Sequence, residues 1–347
     1  MSMKAKILEL LREKKERVAA GAPEGEAYVS GQELCEQFGV SRTAVWKAIG
    51  QLKKEGYVIE AVQNRGYRLL DQAEEVYNQA DIQSRLKTKW VAHPLQFFDS
   101  IDSTNIRAKL EAEQGAESGL LVVADMQSAG RGRRGRGWES PAGINIYYTL
   151  MLKPDFSSDC APMLTLVMAL AVAKGIRQTL RRDSEEVAAK VGIKWPNDIV
   201  VDGKKVCGIL TEMSMEQGYI QHIVIGVGIN VRKQEFPEEI RDRAAAIDEQ
   251  CGFRISRSQL IADIMEAFEE DYEIFLQTHD LKGLRASYAE LLVNQDREVC
   301  VLDPKGEYRG IARGINDQGE LLVERPNGNV EEVYAGEVSV RGIYGYV

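Results

Sequence analysis

A short segment rich in arginine and glycine carries the clearest chemical signal in the chain. Residues 127–138 read QSAGRGRRGRGW, and strand-like apolar residues at 120–124 and 144–152 flank the segment. The pattern predicts a loop between strands. Its arginines alternate with glycines and are Arg131, Arg133, Arg134 and Arg136. Glycine is entropically costly to order, and neighbouring guanidinium groups repel one another. Because guanidinium groups suit phosphate and carboxylate, an anionic ligand best explains this loop.

The letters of the same segment also match a dinucleotide-binding fingerprint. Residues 130–135 have the spacing GxGxxG, and Asp155 follows the last glycine at the expected distance. That fingerprint requires a helix that begins at its last glycine, whereas Pro141, Gly143 and strand-forming residues follow here. We therefore reject a Rossmann site. A solvated basic loop or a nucleic-acid patch is an open alternative for the arginines.

Two further segments place polar groups at the ends of predicted elements. Ser103, Thr104 and Asn105 begin a helix after a strand at 95–98, where they either bind a ligand or simply cap the helix. Ala108 and Leu110 are predicted on the apolar, core-facing side of this helix. Lys194 precedes the residues WPND at a predicted strand end. None of the three histidines lies in a catalytic motif. Arginines, one lysine and backbone glycines favour phosphoryl or adenylyl transfer, in which electrostatic stabilisation dominates catalysis.

Composition predicts a soluble protein of two or three domains. The chain has 347 residues, of which 44% are hydrophobic, and a net charge of −9. No apolar run is as long as a membrane span, and the N-terminus has no secretory signal, so we expect a cytoplasmic protein without membrane contact. The five cysteines have no metal-ligand spacing, and we expect reduced, buried thiols.

The N-terminal 70 residues predict a winged helix-turn-helix. Their net charge is +3, against −12 for the rest of the chain. An amphipathic helix at 4–18 precedes two helices capped by Ser30 and Ser41, and two short strands around residues 63–66 form the wing. Positive charge and helix position indicate DNA contacts, with a protein-binding winged helix as the alternative. The candidate DNA-binding residues are Arg42, Thr43, Lys47 and Arg65.

The remaining chain predicts an α+β multidomain protein. Residues 71–80 are polar and acidic and are interpreted as a linker. Residues 81–290 alternate strands with helices, including an apolar helix at 162–180 and a long amphipathic helix at 256–277, which predicts a central mixed α/β domain. Residues 291–347 contain four predicted short strands, at 298–302, 308–314, 319–324 and 330–334, and the first turn between them is at 303–306. This pattern predicts a small β-barrel.

These motifs, in this order, resemble the bifunctional biotin protein ligases that also repress biotin operons. Besides residues 103–105 and the arginine loop, the matching pieces are Lys194–Asp198, Gly208–Leu210 with Glu212, and Gly226–Asn230. The resemblance implies a class II synthetase-like central domain and an SH3-like C-terminal barrel. It also implies that ATP and biotin form biotinyl-5′-adenylate, with Mg²⁺ accompanying ATP, and that a lysine of a biotin carboxyl carrier protein then accepts the biotin.

The resemblance assigns roles residue by residue. The implied catalytic residues are Lys194, Arg133 and Arg136. The implied biotin-binding residues are Ser103, Thr104, Asn105, Gln127, Arg131, Gly132, Arg133 and Lys194. The implied ATP- and adenylate-binding residues are Arg133, Arg136, Trp138, Lys194 and Asn230. No protein ligand for a metal is predicted.

The resemblance also implies partners and leaves two alternative functions. The implied partners are the carboxyl carrier protein of acetyl-CoA carboxylase or a related carboxylase, operator DNA, and a second copy of the chain in a homodimer promoted by biotinyl-5′-AMP. A lipoate-type protein ligase would share the central fold, but the complete arginine–glycine loop and the winged helix argue against it. A ligand-sensing repressor without ligase activity is opposed by the intact Arg133, Arg136 and Lys194.

Overall fold

The computed structural model describes residues 1–71, 75–302 and 306–334, and the backbone of 339–342. The chain divides into two compact units, Met1–Leu86 and Lys87–Val347. We describe each unit by itself.

The first unit confirms the predicted winged helix-turn-helix. Its elements are α1 (Met3–Ala19), α2 (Gly31–Phe38), α3 (Arg42–Lys54), β1 (Ile59–Val62), β2 (Gly66–Leu69) and α4 (Gln79–Gln83). The Ser30 hydroxyl accepts from the Glu33 amide at 3.0 Å, and the Ser41 hydroxyl accepts from the Ala44 amide at 3.3 Å. Strands β1 and β2 pair antiparallel as the wing. Local capping rules therefore position α3, the helix that carries most of the candidate DNA-binding residues.

The boundary after the wing differs from the predicted linker at 71–80. Val76 packs against the apolar core of the first unit. Asp81, which we predicted to begin the catalytic domain, is buried and pairs with Arg12 of α1. The Tyr57 hydroxyl also donates to Asp81 over 3.2 Å. A buried carboxylate requires such partners, so this segment packs as part of the first unit.

The second unit is built on a seven-stranded mixed sheet. Its strands are β3 (Leu95–Phe98), β4 (Leu120–Ala124), β5 (Ile146–Leu152), β6 (Val191–Lys194), β7 (Asp198–Val201), β8 (Lys204–Glu216) and β9 (Tyr219–Ile229). Their order across the sheet is β3-β4-β5-β9-β8-β7-β6. Strands β3 and β4 are parallel, and the other neighbours are antiparallel.

Helices cover the two faces of this sheet. The helices are α5 (Thr104–Glu113), α6 (Met163–Arg181), α7 (Glu185–Ala188), α8 (Ile247–Cys251), α9 (Arg257–Thr278) and α10 (Arg285–Leu291). On β8, Thr211 bonds to Thr165 of α6, whereas its neighbour Glu212 bonds to Asn105 and Lys109 of α5. Successive strand residues point to opposite faces, so α5 and α6 lie on opposite sides of the sheet.

The C-terminal residues form a five-stranded antiparallel sheet. Its strands are β10 (Glu298–Leu302), β11 (Tyr308–Ile315), β12 (Leu321–Glu324), β13 (Val330–Val333) and β14 (Ser339–Gly342), in the order β13-β12-β11-β10-β14. Strand β14 was not among the four predicted strands, and residues 303–305 of the predicted turn at 303–306 lie outside the described residues. The Trp195 indole N–H donates to the carbonyl of Gly319 at 3.0 Å, which joins this sheet to the end of β6.

Three other predictions concern the apolar helix, the cysteines and Leu110, and not all of them are correct. The helical segment Ser158–Arg181, which ends with α6, is long and apolar enough to cross a membrane. However, 72% of its 18-residue apolar stretch is buried in the protein, which is typical of a core helix. All five cysteines are free, but only Cys207 is buried, so the expectation of five buried thiols is wrong. Leu110 of α5, predicted to face the core, is 41% exposed, whereas Ala108 is buried.

Candidate active site

A cavity of about 440 Å³ lies on the α5 side of the central sheet. Its lining includes the start of α5, the arginine–glycine loop, and backbone from β8 and β9. Of the predicted site residues, the cavity brings together Ser103, Thr104, Asn105, Gln127, Arg131, Gly132, Arg133, Arg136, Trp138 and Asn230. Segments far apart in the sequence thus converge on one pocket, as expected for a ligand site.

One side of the cavity is formed by a network of side-chain hydrogen bonds around the N-terminus of α5. The Asn105 side-chain nitrogen donates to Glu212 at 2.8 Å, and its oxygen lies 2.6 Å from the Thr149 hydroxyl. The Thr149 and Thr104 hydroxyl oxygens lie 2.8 Å apart. Ser103 makes no capping hydrogen bond with its side chain. The alternative in which these polar residues merely cap the helix therefore does not describe Ser103 or Asn105.

The network continues into the segment before the arginines. The Gln127 oxygen accepts from the Thr104 amide at 2.9 Å and lies 3.1 Å from the Thr104 hydroxyl. The Gln127 nitrogen donates to the Ser140 hydroxyl at 3.0 Å, and Ser140 donates to the Trp138 carbonyl at 3.0 Å. We call Thr104, Asn105, Gln127, Ser140 and Thr149 the polar floor. Shared hydrogen bonds hold these side chains in place before any ligand binds.

Two glycines of β9 admit the side chains that line the cavity. A Cβ atom at Gly226 would lie 2.1 Å from the Asn105 side-chain oxygen, and one at Gly228 would lie 2.5 Å from the Trp138 indole nitrogen. Gly208 of β8 pairs with Gly228 and also lies beneath the Trp138 ring. The indole therefore rests directly on strand backbone, which only glycine permits at this distance.

The arginine–glycine loop borders the cavity without a helix. Arg133–Gly135 forms a single 3₁₀ turn, in which the Arg136 amide donates to the Arg133 carbonyl at 3.3 Å. The Gly132 amide donates back to the Arg136 carbonyl at 2.8 Å, and the next regular element is β5. This confirms the rejection of a Rossmann site. Arg133 donates to Asn197 at 2.9 Å, and burial lowers the pKa of its guanidinium group. Arg131, Arg134 and Arg136 are exposed at the rim, where they can meet an anion.

Lys194 is placed differently from the other predicted residues. It is 6% exposed at the end of β6 and is not among the described residues that line the cavity. Its Cα pairs with that of Asp198, which does line the cavity. The strand-end position predicted from the WPND motif is correct. Lys194 thus lies behind the lining, next to Asn197 and Asp198.

Comparisons with known proteins agree with this geometry. Residues 97–230 match the biotin/lipoate A/B protein ligase family, residues 24–68 match an HTH domain, and residues 296–341 match the biotin protein ligase C-terminal domain. The bifunctional ligase/repressor BirA of Bacillus subtilis (strain 168) is 37% identical over 318 residues, which cover 91% of this chain and 95% of that protein. The BirA protein of Escherichia coli (strain K12) is 32% identical, with 90% and 92% covered.

This chain belongs to the BirA family of bifunctional ligase/repressors. A solved structure supports the assignment of the second unit. The biotin protein ligase of Aquifex aeolicus in complex with biotin and ATP has a TM-score of 0.60 and 29% sequence identity, covering 72% of this chain and 98% of that protein. The central domain is therefore a biotin protein ligase domain, and the mixed α/β fold with a small C-terminal β-domain is confirmed.

Several residues that line the cavity or support its lining were not found from the sequence. Lys205 lies 2.5 Å from the Asp198 carboxylate, and its ammonium group is 5.5 Å from the centroid of the Trp138 ring. Thr149 and Ser140 belong to the polar floor but stand outside every quoted motif. Thr149 and Lys205 are placed by strand pairing, and Ser140 by its hydrogen bonds to Gln127 and Trp138, and no local pattern reveals these contacts.

The Glu212 carboxylate is the last acceptor of this hydrogen-bond network and contacts two residues of α5. Lys109 donates to one oxygen at 2.7 Å, and Asn105 donates to the other at 2.8 Å. Burial raises the pKa of Glu212, but these hydrogen bonds outweigh it and hold the pKa below its ordinary value. Glu212 is therefore ionised at neutral pH and can only accept hydrogen bonds.

The candidate DNA-binding residues are all exposed in the first unit. Arg42, Thr43 and Lys47 are exposed near the start of α3, and Arg65 is exposed at the tip of the wing. Trp46, which no sequence motif indicated, is 68% exposed on α3, where it lies between Thr43 and Lys47 in the sequence. The cation–aromatic contact of Arg65 with Tyr28, at 5.7 Å, ties the wing tip to the residues before α2.

Proposed function

We propose that the cavity forms biotinyl-5′-adenylate and that the protein passes the biotin to a lysine of a biotin carboxyl carrier protein. A biotin carboxylate oxygen attacks the α-phosphorus of ATP, and pyrophosphate leaves. The ε-amine of the acceptor lysine then attacks the acyl carbon, and AMP leaves. The observation that carries this proposal is the pairing of a neutral polar floor with an arginine rim in one cavity.

The two sides of the cavity suggest a division of labour. Ser103, Thr104, Asn105 and Gln127 offer neutral donors and acceptors, which suit the uncharged ureido ring of biotin. The exposed guanidinium groups of Arg131 and Arg136, together with Arg133 and the backbone of Gly132, suit the carboxylate and the phosphates. The Trp138 ring and Asn230 offer a surface for the adenosine.

Lys194 is proposed to stabilise charge at the reacting carbonyl and α-phosphate. Its burial next to the lining residues Asn197 and Asp198 supports this role, because a charge acts most strongly where water is excluded. The alternative is a structural cation that supports Asp198.

Mg²⁺ is proposed to enter with ATP. No group of three or more potential metal-ligating side chains occurs in the described part of the chain. That fits an ion held mainly by phosphate oxygens and water, which needs only one or two carboxylates. The carboxylates in the lining that could contact it are Glu139, Asp198 and Glu235. When bound, the ion would neutralise charge on the phosphates.

The first unit is proposed to bind operator DNA more tightly when two copies of the chain associate. A module with a net charge of +3 and one short recognition helix binds weakly alone, with a nonspecific Kd on the order of 10⁻⁴ to 10⁻⁶ M. Two modules on a palindromic site combine their contacts. We infer a cytoplasmic homodimer that biotinyl-5′-AMP promotes by ordering the arginine loop.

One transfer assay tests the enzymatic proposal. The protein is incubated with ATP, labelled biotin and a carboxyl-carrier fragment, and label on the fragment is measured. We expect ATP-dependent labelling, and none on a fragment whose acceptor lysine is replaced by arginine. Arg42→Ala and Lys47→Ala serve as matched variants, since they should weaken operator binding without changing transfer. A protein that binds biotin but never labels the fragment would instead support a sensor without ligase activity.

Sedimentation tests the regulatory proposal. Biotin plus ATP should shift the protein from monomer towards dimer and tighten operator binding over the same range of protein concentration. Tighter DNA binding with no change in association would contradict dimer control.

A further inference from the structure

Each end of the polar floor contacts a group that can only accept hydrogen bonds, and these two groups determine which atoms of the floor donate and which accept. At one end, the ionised Glu212 requires the Asn105 amide nitrogen, so the Asn105 oxygen faces Thr149. At the other end, the Trp138 carbonyl requires the Ser140 proton, so Ser140 accepts from the Gln127 nitrogen. The Gln127 oxygen therefore faces Thr104. Both amide orientations follow from the chemistry of their neighbours.

The central part of the network has three oxygen–oxygen contacts but only two hydroxyl protons to occupy them. Three oxygen–oxygen contacts link Asn105 to Thr149, Thr149 to Thr104, and Thr104 to Gln127, at 2.6, 2.8 and 3.1 Å. Only the two threonine hydroxyl groups can supply protons to these three contacts. The two shorter contacts keep them, because a hydroxyl hydrogen bond is optimal near 2.7–2.8 Å. Thr104 and Gln127 consequently present two acceptor oxygens side by side in the cavity lining.

We propose that Glu212 is a positioning residue for biotin binding: through Asn105 and Thr149, it directs the Thr104 hydroxyl proton away from the cavity. The acceptor pair formed by Thr104 and Gln127 then receives a ureido N–H of the ligand. The proposal rests on the assignment of these two residues to the ureido ring. The new element is that Glu212, which does not line the cavity, selects a ligand that places an N–H donor between Thr104 and Gln127.

Lys109 makes the proposal testable by an almost isosteric change. In Glu212→Gln, the Lys109 ammonium group still needs an acceptor, so the new amide oxygen turns towards Lys109. The new NH₂ group then faces Asn105, whose amide must turn over and donate to Thr149. The Thr149 hydroxyl then donates its proton to Thr104, and the Thr104 hydroxyl donates its proton to Gln127. The acceptor pair is lost, although no side chain has changed size.

The experiment measures KM for biotin, KM for ATP and kcat in adenylate formation. Glu212→Gln should raise KM for biotin about tenfold, as expected when one hydrogen bond to the ligand is lost, and should leave kcat and KM for ATP within about twofold. Glu216→Gln, the same substitution at the exposed end of β8, is the matched control and should change nothing.

A second substitution distinguishes polarity from packing. In Glu212→Gln with Lys109→Met, the new amide oxygen is free to accept from Asn105 again, so most of the biotin affinity should return. Lys109→Met alone should be near normal. If the double variant binds biotin as poorly as Glu212→Gln, or if Glu212→Gln binds normally, the proposal is wrong. If Glu212→Gln does not fold, Thr149→Val provides the test, since it breaks the same relay and should raise KM for biotin similarly.

Thr104→Val separates failure of this proposal from failure of the proposed function. Loss of biotin binding in Thr104→Val with normal binding in both Glu212→Gln and Thr149→Val would keep the site and reject the role of Glu212. Normal binding in Thr104→Val would reject the assignment of the ureido ring itself.

Discussion

The polar floor and the arginine–glycine loop border the same cavity but are built in opposite ways. The floor is held by side-chain hydrogen bonds between α5, β5 and residues 127–140, and Thr104, Asn105 and Thr149 are each at most 5% exposed. The loop has one 3₁₀ turn, and three of its four arginines are exposed. A neutral ligand can be recognised by preset polar groups, whereas clustered like charges are stable together only when an anion neutralises them.

Lys194 combines the burial of the floor with the charge of the loop, so its removal should have the largest effect. Lys194→Met should leave the protein folded and lower adenylate formation about 100-fold, the scale of losing one preorganised electrostatic group. Pyrophosphate release measures the rate, and circular dichroism checks the fold. A nearly normal rate would make Lys194 a structural residue.

Gly226 and Gly228 give a paired test of the two sides of the cavity. Gly226→Ala pushes on Asn105 of the floor and should raise KM for biotin, whereas Gly228→Ala pushes on the Trp138 ring and should raise KM for ATP. We expect about tenfold in each case, within the usual cost of overpacking. If both variants change both constants equally, the division between floor and loop is incorrect.

Arg133→Gly tests whether the loop retains the intermediate. Arg133 is the arginine whose bond to Asn197 fixes it to the edge of the sheet. Its loss should release biotinyl-5′-adenylate into solution about tenfold faster or more, since a charge-assisted contact is worth about 1.5–3 kcal/mol. Chromatography of the free intermediate measures the release. Retention equal to that of the wild type would show that Arg133 does not clamp the adenylate.

The smallest expected effect concerns stability away from the cavity. The buried Glu269 carboxylate accepts from the amides of Lys89, Trp90 and Val91, and these bonds outweigh burial and lower its pKa. A lowered folded-state pKa stabilises the protein at neutral pH, and that contribution disappears as pH falls through the folded-state value. Glu269→Gln should therefore lower the free energy of unfolding by about 1–2 kcal/mol at pH 7 and by less below about pH 4. Both active-site KM values should be unchanged, and a pH-independent difference would contradict this account.

Local rules predicted the elements more completely than the contacts between them. Ser30 and Ser41 cap their helices as expected, because capping depends on residues three positions apart. Asp81 was placed in the wrong unit because its partner Arg12 is 69 residues away. Leu110 was expected in the core, since helical periodicity does not reveal which face is covered.

In the candidate site, too, local patterns located residues within motifs but not the residues placed by long-range contacts. The motifs located Thr104, Gln127, Arg133 and Trp138, which meet in the cavity. They did not locate Thr149 or Lys205, whose places are set by strand pairing, and they did not indicate that Lys194 lies behind the lining. Sequence motifs identify groups that touch a ligand more readily than the residues that hold those groups in place.

Hydrogen–deuterium exchange tests the central contrast most directly. In the free protein, amides of the loop at 130–137 should exchange rapidly, while amides of β5 at 146–152 should be strongly protected, since local opening is least costly where few contacts hold the chain. Biotin plus ATP should slow exchange in the loop by roughly tenfold or more and leave β5 unchanged. A loop already as protected as β5 in the free protein would contradict the account.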